Sequence, residues 1–203
     1  MPETDPTPPE AGSTVRGEDW YARDLAGTEI DRVEFIDVDM TESSTSGVTF
    51  SECAFRNVRF NVSVHTDSAF VNCTFVGCSF FDSTFTRCKL SGSTFSGCSF
   101  DIMKVDGSNW AFTDLAGADL SGTTFTGVRL REAELTGAKL VGAVVTSCDL
   151  SGSTLHRADL SDCDLRGSDV SSLDPLSTIV RGAVITTHQA EVIVETLGLR
   201  VSE

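Results

Sequence analysis

Seven cysteines, three histidines and thirty acidic side chains are the residues of this chain best equipped for chemistry. Thiols and imidazoles clustered at ligand spacing would hold zinc, and a thiol beside an imidazole would be a nucleophile. The spacing supports neither. Cys53, Cys73, Cys78, Cys88, Cys98, Cys148 and Cys163 all fall at separations that are multiples of five, while His65, His156 and His188 are scattered. There is no Ser/His/Asp set, no phosphate-binding glycine loop and no Cys/His ligand cluster. The sequence therefore predicts no catalytic residue, no metal and no cofactor, in a protein that is not an enzyme. The cysteines read as small buried filler.

What remains is charge. Thirty acids against fifteen Lys and Arg leave a net charge of −15 at pH 7. Such a surface repels nucleic acid, so direct nucleic-acid binding is not expected, and a basic protein groove is the complementary partner. The candidate partner-binding acids are Asp19, Asp24, Glu29, Glu34, Asp39, Asp114, Asp119, Glu134, Asp149, Asp159, Asp162, Asp164 and Asp169. Nine acids and only two bases (Arg23, Arg32) lie between residues 18 and 42, and a second cluster runs from Asp159 to Asp174. The same acids would also serve solubility.

These residues are positioned by a repeat of five. Every fifth residue from Trp20 to Ile185 is large and apolar in one unbroken phase, interrupted only at Thr45, His65 and Pro175. Five is neither the helical nor the strand period. The position two before each large residue is small (Cys73, Cys78, Ser83, Cys88, Ser93, then Ala133, Ala138, Ala143). Two inward side chains flanking one outward residue describe a short extended segment. The other two residues of each five must turn a corner. Sixteen of the 17 glycines lie two after a multiple of five, where a positive φ would be needed. Each pentad is one side and one corner of a polygonal coil, and the coils stack.

Runs such as Ala118-Asp119-Leu120-Ser121-Gly122 and Ala158-Asp159-Leu160-Ser161-Asp162 resemble the pentapeptide-repeat family. The resemblance implies an all-β, right-handed quadrilateral β-helix with four pentads per coil. It predicts a β-helix over residues 18–175, behind a disordered acidic, Pro-rich tail over 1–17. Around Thr41–Val48 and Asn61–Ser68 the pattern lapses, which predicts a local bulge on one face with His65 free to point outward. Residues 101–112 fit the repeat poorly, and a modest bend is expected there. The Phe-rich core gives way to a Leu-rich one at this point.

Residues 176–203 read as a C-terminal module. Thr186 and Gln189 have capping-box spacing, and Ala190, Ile193, Val194 and Leu197 form an apolar helical stripe. The helix could cap its own rod end or pair with a second copy across a two-fold axis. This segment resembles the dimerisation element of the quinolone-resistance (MfpA/Qnr) branch of the family. That likeness implies a homodimer through Ile185, Ala190, Ile193, Val194, Leu197 and Leu199. It also implies DNA mimicry and binding to DNA gyrase or another type II topoisomerase. The unbroken phase leaves no room for the inserted loops of Qnr proteins, so an MfpA-like or self-immunity protein is the nearer likeness. A generic interaction rod is the alternative. No stretch has the makings of a signal peptide or a membrane span, so a cytoplasmic location with no membrane partner is expected.

Overall fold

The computed structural model describes residues 8–202, which form fifteen three-residue strands and one helix, Thr187–Thr196. Every strand pairing is parallel and joins residue i to residue i+20, as in Val15 with Phe35, Phe55 with Phe75 and Phe85 with Val105. A register of twenty with five residues per side gives four sides. The chain is thus a four-sided parallel β-solenoid. The first face stacks five strands from Thr14–Arg16 to Thr94–Ser96, and the third stacks seven from Asp24–Ala26 to Val144–Thr146. The fourth stacks three, from Glu29–Asp31 to Ala69–Val71, and the second is held by isolated bridges such as Asp19 to Asp39 to Arg59.

The corners explain the period. From Gly12 to Gly167 every residue two after a multiple of five has a positive φ, between 50° and 75°. Fifteen of these are glycine and seventeen are not. A non-glycine residue in this conformation costs about 1 kcal/mol, so the ladder of corner hydrogen bonds and the buried core must hold it there. The ladder bonds do recur: Asn57 donates to the Val76 carbonyl, Asp67 to Thr86 and Phe112 to Arg131 at 2.9–3.0 Å.

Inside, side chains stack from turn to turn. Phe35, Phe55, Phe75 and Phe95 lie parallel, with ring centroids 4.7–4.9 Å apart. The small inward slot does more than fill space. The thiol of Cys53 donates to the Ile30 carbonyl at 3.4 Å, Cys88 to His65 at 3.3 Å and Cys148 to Phe125 at 3.4 Å. Ser93 and Ser168 use the same geometry towards Phe70 and Val145. Burial pushes Cys88 and Cys148 up to about 11 and Cys163 up to about 12, which makes them poor nucleophiles.

Three expectations need correction. The ladder begins at Thr14–Arg16, paired with Glu34–Ile36, inside the segment expected to be a disordered tail. Val15 continues the apolar phase and is buried, and Gly12 and Gly17 continue the corner phase. Residues 1–7, the rest of that segment, lie outside the described residues.

There is also no bulge at Thr45 and His65. Ser44–Ser46 and Val64–Thr66 keep the regular register, and His65 is buried rather than outward. Its ring stacks on Phe85 at 4.5 Å. Its Nδ1 meets Thr45 Oγ1 and its Nε2 meets Ser63 Oγ, each at 2.9 Å. The two polar residues break the pattern together because each satisfies the other.

The third correction lies at residues 101–112. The strands on the third face pass through unbroken, as Thr84–Thr86, Lys104–Asp106 and Thr124–Thr126. The second face opens instead. The ladder bonds that should join Gly97 to Ala116, Phe100 to Asp119, Ile102 to Ser121 and Asp119 to Cys98 are absent, and so is the bridge from Ser99 to Asp119. Across the core from this opening, on the fourth face, Trp110 is fully buried and stacks on Phe95 at 5.5 Å, an indole among phenyl rings.

Burial holds the His65 imidazolium down to about 3. The unfolded chain binds a proton at an ordinary histidine pKa of about 6.5, so it binds more protons than the folded chain between those values. The stability contributed by neutral His65 is complete above about pH 6.5 and is lost as pH falls towards 3. Urea unfolding at pH 5 and pH 7 should differ by about 2 kcal/mol from this group, and His65→Phe should remove most of that difference. An unchanged pH dependence in the variant would refute it.

Candidate partner-binding surface

The thirteen candidate acids are all at least partly exposed, yet they do not converge on one stripe. Glu34, Asp114 and Glu134 lie on the first face, and Asp19, Asp39, Asp119 and Asp159 on the second. Asp24 and Asp164 lie on the third, and Glu29, Asp149 and Asp169 on the fourth; Asp162 is at a corner. Neighbouring turns bring together Asp19 with Asp39, Asp114 with Glu134, and Asp149 with Asp169. Elsewhere a base intervenes, as Lys139 does between Asp119 and Asp159.

Most of these carboxylates also have a task within the rod. Each reaches forward to accept the backbone N–H two residues on, where the chain turns. Tyr21 donates to Asp19 at 2.9 Å, Ala116 to Asp114 at 3.0 Å, Ser151 to Asp149 at 3.0 Å and Ser161 to Asp159 at 3.0 Å. Ser171 does the same to Asp169 and Thr136 to Glu134. This is an Asx-type turn, in which a short acidic side chain substitutes for a missing backbone acceptor. The hydroxyls of Ser121, Thr136, Ser151 and Ser161, together with these amide bonds, hold Asp119, Glu134, Asp149 and Asp159 below the ordinary carboxylate range.

Bases take up some of the charge. Arg59 meets Asp39 at 2.6 Å and holds its carboxyl down to about 2, and Arg166 meets Asp164 at 2.6 Å. Arg56 meets Glu34 at 2.8 Å. These pairs are exposed and contribute little stability, but they reduce the charge available to a partner.

At the C-terminal end, Thr186 and Gln189 form the expected capping box. The Gln189 amide also donates to the carbonyls of Leu165 and Ser168 at 2.6 and 2.8 Å, which fastens the helix to the last turn. Ile185 and Ile193 pack against the rod core and border a hollow of about 140 Å³ with Leu165, Leu173, Val180 and Ala183. Ala190 and Val194 are half-buried. Leu197 and Leu199 are exposed, as are Leu176, Ile179 and Val184. The helix thus covers part of its own rod end and leaves apolar surface beside it. No helix among the described residues is long and apolar enough to cross a membrane.

Sequence reasoning missed one surface. Val62, Val64, Phe81 and Ile102 are large, apolar and exposed on or beside one corner. The available signal was Val62 and Ile102, the two β-branched residues in a corner slot that otherwise takes glycine or an unbranched residue.

The corner bonds yield a test. Asp149→Asn keeps an oxygen that can accept from Ser151 and should leave stability nearly unchanged, whereas Asp149→Ala should cost about 1 kcal/mol. Because the folded carboxyl is held low, the charged form's contribution is present above the ordinary carboxylate pKa and lost as pH falls through the folded value. Equal urea midpoints for the Ala and Asn variants would show that the bond is idle.

Residues 78–155 match a family model described as a pentapeptide repeat region. No curated protein matches the chain by sequence. Among solved structures it is similar to a trypsin-treated form of QnrB1, a plasmid-mediated fluoroquinolone resistance protein. The TM-score is 0.75 at 20% identity, covering 94% of this chain and 100% of that one. Full-length QnrB1 gives a TM-score of 0.73 at 19% identity, covering 94% and 99%. The chain therefore carries a pentapeptide-repeat region and, with it, the pentapeptide-repeat fold of QnrB1.

Proposed function

We propose that this chain is a binding protein, not an enzyme, that imitates a length of DNA and docks on a type II topoisomerase such as DNA gyrase. In doing so it modulates the enzyme or protects it from quinolones or another gyrase poison. One observation carries the reading: a rod like that of a fluoroquinolone resistance protein, over 94% of the chain, bears a net charge of −15. A rigid acidic rod suits a basic groove that otherwise receives duplex DNA. The acids proposed to meet that groove are Asp149, Asp159, Asp162, Asp164 and Asp169 near the helix end, with Asp114, Asp119 and Glu134 beyond them. The N-terminal acids Asp19, Asp24, Glu29, Glu34 and Asp39 form the far tip.

The proposed unit is a homodimer, joined through the C-terminal helix and the apolar surface around Leu197 and Leu199. A dimer of this kind closes an exposed rod end against itself. Sedimentation of the full chain should give a dimer, and Leu197→Asp with Leu199→Asp should give a folded monomer. A monomeric wild type at micromolar concentration would refute the dimer.

A second reading is a generic interaction rod with no topoisomerase partner. The spread of acids over four faces and their bonds to corner amides favour it, since both account for the acids through solubility and folding alone.

Gyrase supercoiling with the purified chain titrated in, with and without a fluoroquinolone, separates the two. The first reading expects inhibition or drug protection that weakens with salt. It also expects loss of the effect when Asp149, Asp159, Asp162 and Asp169 are changed together to Asn, substitutions that keep an acceptor for the corner amides at 149, 159 and 169 and suit the positive φ at 162. No effect of the wild type on gyrases from several sources would leave the generic rod.

A further inference from the structure

The corner between the second and third faces differs from the other three in chemistry. Val62, Phe81 and Ile102 are 43%, 46% and 47% exposed, and Val64 beside them is 47% exposed. They occupy consecutive turns: the Val62 N–H donates to the Phe81 carbonyl at 2.7 Å and the Asp82 N–H to the Asp101 carbonyl at 2.9 Å. At a ladder spacing of about 4.8 Å, the three follow one another along the rod as an interrupted apolar ridge, with Phe81 beside Asp82, which stands between Val62 and Ile102 in the corner column and pairs with Lys104.

The backbone under this ridge is strained. Val62 and Ile102 have φ of 58° and 50°, and they are the only β-branched residues among the seventeen non-glycine positions with positive φ. A β-branched side chain is a genuine outlier in that region. Both stand on the same corner, and both expose their branches to water. Strain and exposure each weigh against the free rod, and covering the ridge with a partner offsets the exposure.

The ridge ends at the opening in the second face. There a hollow of about 320 Å³ is lined by Cys98, Ser99, Phe100, Asp101, Asp119 and Ser121. Its walls combine the Phe100 region with two carboxylates. The carbonyls of Cys98, Asp119 and Ser121 lack the ladder amides that would normally cover them. Lys139 is 3.8 Å from Asp119, and Lys104 is committed to Asp82 at 2.8 Å. The balance at the hollow is acceptor-rich and acidic.

We propose that this corner is a docking site for a protein segment that presents an arginine or lysine beside one or two apolar side chains. The cation enters the hollow between Asp101 and Asp119, and the apolar neighbours cover Phe81, Val62 and Ile102. Charge complementarity selects this occupant. The two carboxylates that line the hollow, Asp101 and Asp119, call for a cation on the incoming segment. The site shares Asp119 with the acids proposed to meet a topoisomerase, but its apolar side chains have no part in DNA mimicry.

The test is a methyl NMR titration of the full chain with an acetylated peptide of alternating leucine and arginine. Saturable shifts confined to the methyls of Val62, Val64 and Ile102 are expected. A peptide with Glu in place of Arg, and one with Ser in place of Leu, should both fail to produce them. Val62→Asn with Ile102→Asn gives the corner a residue type that tolerates a positive φ. That variant should hold or raise Tm while weakening peptide binding about tenfold or more. Shifts spread evenly over the acidic faces, no saturable shift, or an Asn variant that binds like the wild type would each overturn the proposal. The gyrase assay bears on neither result.

Discussion

A left-handed backbone step, taken once in every five residues, is the constraint on which the rest of this molecule depends. It turns the chain after each short extended segment, so that a side is three residues of strand and a corner is two residues. Four such steps return the chain to its starting column and set the register of twenty. Everything inside follows from that register. Phe35, Phe55, Phe75 and Phe95 stack because the corners keep them in one column, not because aromatic attraction aligned them. Ring stacking and the donor slot of Cys and Ser then supply the stability that holds seventeen non-glycine corners in a conformation they would not choose alone.

Carboxylates serve the same constraint from outside. An aspartate one before the large residue accepts the N–H that the corner leaves without a partner, as Asp149 does for Ser151. The acidity of the surface is therefore partly a by-product of how the corners are tied. Charge on this rod has two owners, the fold and any partner, and an asparagine at the same place satisfies only the first.

The period made the repeat, the inward slots and the corner glycines legible, because each occupies a fixed residue of five. The number of sides was not legible, since the pentads alone describe any polygon; the register supplied it. The first turn was hidden because Val15 is a single apolar residue in an acidic, Pro-rich context. His65 was misjudged because a polar residue in an apolar column reads as a lapse until its partners, Thr45 and Ser63, are seen around it. The candidate acids were legible by position but not by partner. Nothing in the pentads announces that Asp159 is bonded to Ser161 or that Arg166 covers Asp164. The apolar ridge was overlooked because Val62 and Ile102 sit in a slot read only for its glycines.

The opening across the core from Trp110 has a mechanical consequence. In a solenoid each turn touches only its neighbours, so load and cooperativity pass serially along the axis. Four missing ladder bonds on one side make the junction between residues 97–102 and 116–121 one weak link of that series; a second lies between residues 150–155 and 169–174, where Leu150, Gly152 and Leu155 likewise lack their ladder acceptors. At the first, the three intact faces act as a strap opposite a crack. That gap falls where the phenylalanine-cored part of the rod gives way to the leucine-cored part.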